Sequence, residues 1–182
     1  MTHIMLDLET MDSGPNAAIV SIGAVTFDPH SYWISEDTFY TDVDLADSMR
    51  EGGTVSASTI KFWLTQAKAA QPSWTASQTS LTWALADLVT WTAGVNPKHE
   101  TLRLWGHGAT FDPVVLNSAF NACYIISPFD YRSARDTRTV FEMAGLDFAK
   151  FPKTGTAHNA LDDAMTQARA VQAAFATIFQ KG

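Results

Sequence analysis

Cysteine is nearly missing from this chain: Cys123 is the only one in 182 residues. That excludes an internal disulfide framework and a cysteine-built zinc cluster, and makes a cytoplasmic protein the simplest expectation. Charged residues are sparse too, at 17% against 46% hydrophobic, a balance that buries a core and does not describe a disordered chain. No apolar run approaches the ~20 residues of a membrane span. The first residues carry no basic region followed by a signal-type apolar stretch. Positive charge is in deficit, with a net charge of −7 and a pI near 5.0. A broad basic surface that coats long nucleic acid is thereby excluded. An enzyme acting on a nucleic-acid end is not, because clustered carboxylates are acidic by construction and divalent cations restore positive charge locally. Repeats, low-complexity tracts and long charge blocks are absent. The length fits one domain over residues 1–182.

What is present alternates between strand and helix signals. Residues 3–8 read as a buried strand, 18–27 as a second and 32–43 as a third, more polar one, with turns at 11–16 and 28–31. Together they predict an antiparallel meander. A helix opens near Ser58 with a hydroxyl cap. Another covers 77–93, where Leu81, Ala84, Leu85, Leu88 and Trp91 keep a helical period. A short strand at 101–106 leads into a helix over 113–121 with Pro113 in its first turn. The next helix, 136–144, is capped by Asp136 and stopped by Gly145. Residues 149–157 form a loop, and a final helix runs over 159–179. This order predicts an α/β fold with a mixed β-sheet flanked by helices.

Three separated segments carry chemistry. In Leu6-Asp7-Leu8-Glu9-Thr10 the two acids are two residues apart on a strand, so both project from one face while Leu6 and Leu8 take the other. Paired carboxylates repel unless a cation lies between them. Asp112 ends Gly108-Ala109-Thr110-Phe111-Asp112, at the C-terminal end of a strand and just before a helix. It suits a helix cap and a metal ligand equally. Asp163 lies one turn into the last helix on a face shared with Ala164 and Ala168, Asp162 points elsewhere, and His158 precedes the helix on the loop. The set suits phosphodiester hydrolysis with two divalent ions. Oxygen ligands favour Mg²⁺ or Mn²⁺. Asp7 is expected to bridge the ions, Glu9 and Asp163 to hold the one that binds the nucleophile, and Asp112 to serve the other. Histidine is the side chain whose ordinary ionisation falls near neutrality, which suits His158 to the role of general base.

These motifs resemble the DnaQ-like 3′–5′ exonuclease superfamily, in its DEDDh subgroup. Asp7 and Glu9 match its Asp-x-Glu, Phe111 and Asp112 its second motif, and His158 and Asp163 its histidine five residues before an aspartate. Gly106-His107-Gly108-Ala109-Thr110 departs from the second motif upstream of the aromatic. Within the superfamily the chain is most similar to phage- and prophage-type exonucleases, through Ala17–Val25, Thr59–Leu64 and Arg135–Thr139. The resemblance implies a ribonuclease H-like fold and release of nucleoside 5′-monophosphates from a single-stranded 3′ end. DNA is the favoured substrate on the phage likeness, with short RNA as the alternative. It also implies that the backbone near Glu9 and Thr10 meets the terminal 3′-hydroxyl, with Leu8, Thr10 and Phe111 as candidate substrate-binding residues.

Further substrate contacts are read from residue type. Phe62 and Trp63 offer rings for base stacking, and Arg132, Arg135 and Arg138 offer charge for phosphates. Asp136 reads as a cap and His107 as structural. Exposed aromatic surface is compatible with a homodimer. A non-catalytic module on the same fold would lack one of the five site residues, and all five are present. A phosphoesterase for small esters is the remaining alternative.

Overall fold

A computed structural model of the chain describes residues 1–66 and 77–179. Three nine-residue strands come first: β1 (Thr2–Thr10), β2 (Ile19–Phe27) and β3 (Ile34–Asp42). They pair antiparallel as the expected meander. Then follow α1 (Leu45–Arg50), α2 (Ala57–Thr65), α3 (Leu81–Val95), β4 (Leu102–Gly106), α4 (Asp112–Ala122), β5 (Ala134–Asp136), α5 (Thr137–Ala144) and α6 (Ala160–Phe179). The sheet order is β3-β2-β1-β4-β5, with β4 parallel to β1 and β5 parallel to β4. β2 is buried at all its positions, as a strand covered on both faces must be.

Alternation along β1 sorts its side chains onto two cores. Ile4, Leu6 and Leu8 pack against Leu85 and Leu88 of α3 and Leu116 and Phe120 of α4. Met5 points the other way, into Trp105, Phe141 and the alanine face of α6 (Ala164, Ala168). Asp7 and Glu9 share the parity of Met5, so they face α6. Gly23 is the β2 partner of Asp7. A Cβ there would lie 2.2 Å from the backbone of Ala160 and Leu161. Glycine at 23 therefore lets the start of α6 approach the sheet beside Asp7.

The local signals place the helix ends with small shifts. Asp136 caps α5 through its bond from Arg138 N–H, and Gly145 ends it in the left-handed region at φ 70°. α2 is capped by Ser56, two residues before the expected start, and α3 by Ser80, so residues 77–80 stay outside it. Two short elements were not foreseen. α1 is held by an Asp44 cap. β5 has only three residues and exists through its pairing with Leu104–Gly106. No helix among the described residues is long and apolar enough to cross a membrane.

Candidate active site

The five sequence-predicted site residues converge at the C-terminal ends of β1 and β4 against the start of α6. Asp112 is the first residue of α4 and is 4% exposed. It does not cap the helix: the cap position is Phe111, and the Asp112 carboxylate turns back to accept the Leu8 N–H at 3.3 Å. Gly106 leaves room for it, since a Cβ there would sit 3.1 Å from Asp112 Oδ2. The cap of α6 is Asn159, whose Oδ1 accepts the N–H groups of Leu161 and Asp162 at 3.1 Å. His158 just before it has φ 61°, a left-handed conformation that costs a non-glycine residue about 1 kcal/mol or more. Its N–H donates to Asp163 Oδ2 at 2.8 Å, which holds it there. Glu9, His158 and Asp163 each offer a ligand atom, all within 4.8 Å of one another.

The electrostatics follow from this crowding. Burial first, then repulsion from Asp112, Glu9 and Asp163, pushes the Asp7 carboxyl well above its ordinary value. Burial, then Asp163 and Asp112, pushes Glu9 up to about 8. Burial raises Asp112 to about 6 and Asp163 above its usual range. Four acids that resist ionising together become stable as anions once cations neutralise them.

The donor set fits such cations. Its carboxylate oxygens are hard ligands of the kind that divalent cations such as Mg²⁺ or Mn²⁺ take, and the His158 imidazole beside them is not needed as a ligand. A residue not singled out in the sequence adds to this. Gln167 Nε2 donates to Asp7 Oδ1 at 2.7 Å, while its Oε1 is buried with no hydrogen-bond partner among the described residues. An unspent amide acceptor beside a carboxylate could take a hydrogen bond from a water held by such a cation. Gln167 lies one turn after Asp163 on α6, a spacing that puts the two on one side of the helix.

Around the acids the other predicted contacts separate. Trp63 is not placed to stack on a base. It is 3% exposed, packs with Met11, Ala18 and Val20, and donates its indole N–H to the Thr10 carbonyl at 3.0 Å. Phe62 beside it is 40% exposed, with its ring centroid 5.0 Å from that of His158. Leu8 and Thr10 are buried, and Phe111 half-packs on the core beneath α4. Arg132 pairs with Asp130 at 2.9 Å, and Arg135 donates to the carbonyls of Arg132, Ser133 and Ala134. Of these arginines, Arg138 acts on Asp112, which it lowers after the larger effect of the Leu8, Asp112 and His107 backbone bonds, opposing part of the burial effect. His107 bonds Thr137 at 2.8 Å and its ring lies tilted against Phe148 with centroids 4.8 Å apart, a structural role. Asp162, which points away from the acids, accepts the Thr156 N–H at 2.7 Å and fastens the loop that carries His158.

Comparison with known proteins gives consistent matches. The family model described as 3′-5′ exoribonuclease Rv2179c-like domain matches residues 2–175. No curated protein matches. Among solved structures, cell-death related nuclease 4 (CRN-4) aligns over 100% of this chain and 64% of its own, with 16% identity and a TM-score of 0.70. This chain thus spans less than two thirds of that nuclease. The nuclease domain of 3′hExo, a DEDDh family member bound to rAMP, aligns over 100% of this chain and 92% of its own, with 18% identity and a TM-score of 0.62. These likenesses identify the fold as ribonuclease H-like.

Proposed function

Since the chain belongs to the 3′-5′ exoribonuclease Rv2179c-like domain family, a 3′–5′ exonuclease domain of the DEDDh type, we propose that it shortens single-stranded RNA from the 3′ end. The released product is a nucleoside 5′-monophosphate. The observation that carries the reading is the convergence of Glu9, His158 and Asp163 within 4.8 Å, beside Asp7 and Asp112. Asp7 would hold both of two divalent cations, Glu9 and Asp163 one of them, and Asp112 the other. Bound there, the cations supply Lewis-acid activation of the water and charge neutralisation at the leaving oxygen.

The chain's own residues do the rest. His158 takes the proton from the attacking water. Its left-handed backbone and its bond to Asp163 aim the ring, and Phe62 and Trp63 border it edge-on at 5.0 and 6.1 Å. Gln167 fixes the rotamer of Asp7. Leu8 and Thr10 have their side chains turned inward, so they meet the terminal sugar through backbone. Phe62 offers its ring to the terminal base, and Phe111 closes the other side.

RNA is favoured over the DNA expected from phage likeness by the family's description, and the rAMP-bound 3′hExo domain is in keeping with it. Matched single-stranded RNA and DNA of one sequence, each with a free 3′-hydroxyl, test this with Mg²⁺ or Mn²⁺. Faster shortening of RNA is expected. Equal or faster shortening of DNA returns the assignment to a deoxyribonuclease.

A further inference from the structure

A cavity of about 740 Å³ opens at the opposite end of the sheet from the carboxylates. The last turn of α3, the start of β4 and the segment leading into β5 form its walls. His3 pairs with Arg103 across β1 and β4. Asp7 lies four residues further along β1, about 13 Å at ~3.3 Å per residue. The cavity is therefore separate from the acid cluster.

Its charge is unusual for this chain. Three of the six arginines, Arg103, Arg132 and Arg135, line it in a protein of net charge −7. Two acids line it as well, and both are taken. Glu100 binds the Met1 amino group, and Asp130 binds Arg132. Arg103 and Arg135 are left with no carboxylate partner among the described residues. Each spends only Nη1, Arg103 on the Leu102 carbonyl and Arg135 on the carbonyls of residues 132–134. A guanidinium has five N–H donors, so most of this capacity is unspent. The two are close enough to disfavour each other: burial, then Arg103, lowers the pKa of Arg135. Like charges held together call for an anion.

A second observation points the same way. Thr92, on the α3 wall, is 2% exposed and its hydroxyl has no hydrogen-bond partner among the described residues. A buried polar group without a partner is rare and suits a ligand that supplies one. Val89, Leu102 and Pro128 add apolar wall. The volume lies in the range of small-molecule sites.

We propose that this cavity is a second, non-catalytic nucleotide site. It takes a nucleoside 5′-phosphate, with the phosphate on Arg103 and Arg135 and the nucleoside against Thr92 and the apolar wall. This does not rest on the exonuclease reading. The test is calorimetric titration of AMP and of inorganic phosphate into the full chain in EDTA. Wild type and Asp7→Ala should each bind one AMP with matching affinity. Arg103→Gln should weaken binding at least tenfold with unchanged melting temperature, and Thr92→Val, which keeps the volume, several-fold with an unchanged or higher melting temperature. Three results overturn the proposal. They are no AMP binding at millimolar concentration, binding lost in Asp7→Ala but intact in Arg103→Gln, and inorganic phosphate binding as tightly as AMP.

Discussion

Removing divalent cations while raising the pH should unfold this protein more easily, for a reason that can be worked from one residue. Glu9 ordinarily ionises near 4.5, and in the fold it is held up to about 8. Between those values the folded protein keeps a proton that the unfolded chain releases. Unfolding then sheds protons, so higher pH favours the unfolded state. The stabilisation is complete below about pH 4.5 and is lost as the pH passes about 8. Asp7 and Asp112 act in the same direction. His3 opposes them, because burial holds its imidazole down to about 4, so stability rises with pH until its unfolded value of 6.5. The unobstructed window is therefore from pH 6.5 to 8. Across it Glu9 alone costs about 2 kcal/mol, at roughly 1.4 kcal/mol per pH unit. In a chain of this size that lowers Tm by about 4–8 °C. Thermal unfolding followed by circular dichroism in EDTA at half-unit steps measures it. Millimolar Mg²⁺ should remove most of the slope, since the cation favours the ionised acids. A Tm that is flat or rising from pH 6.5 to 8 in EDTA, or an equal fall with Mg²⁺, would refute the reasoning.

Other perturbations have equally definite outcomes. Gly23→Ala forces a Cβ into the backbone of α6, and should cost about 3 kcal/mol or more in urea unfolding while slowing hydrolysis by moving His158 and Asp163. A variant of near-native stability would mean that α6 can retreat freely. Gln167→Leu should weaken Mn²⁺ binding about tenfold by calorimetry, as expected when a residue orienting a metal ligand is lost. Unchanged affinity would make Gln167 a packing residue only. Trp63→Ala should destabilise by about 3–5 kcal/mol, because the indole is buried. Phe62→Ala should leave Tm nearly unchanged and raise KM, with about 1–3 kcal/mol lost per stacked base. An unaltered KM would remove Phe62 from the substrate path.

Much of this site is legible in the sequence because strand alternation is strict. Once residues 3–8 are a strand, Asp7 and Glu9 must share a face, and Leu6 and Leu8 must share the other. Helix ends at Asp136 and Gly145 follow from local capping chemistry that needs no tertiary information. β5 is different in kind. Three residues carry no period, and Ala134–Asp136 become a strand only because Leu104–Gly106 lie alongside. Which of two adjacent aromatics is buried is likewise set by how α2 rests on the end of β1, where the Thr10 carbonyl captures Trp63. Asp162 has the same lesson: its partner is a backbone N–H six residues earlier, in a loop with no pattern. The Arg103–Arg135 cavity joins residues from α3, β4 and the β5 approach, and no single stretch announces it.

The central claim is that the cluster of Asp7, Glu9, Asp112, His158 and Asp163 hydrolyses nucleic acid from a 3′ end. A time course on 5′-labelled single-stranded RNA tests it most directly, with wild type, Asp7→Ala and His158→Ala, in Mg²⁺ and in EDTA. The account predicts a ladder shortening one nucleotide at a time in Mg²⁺ only, no turnover in Asp7→Ala, and a rate about 10²–10⁴ lower in His158→Ala. Near-normal shortening by Asp7→Ala, or by wild type in EDTA, would contradict it.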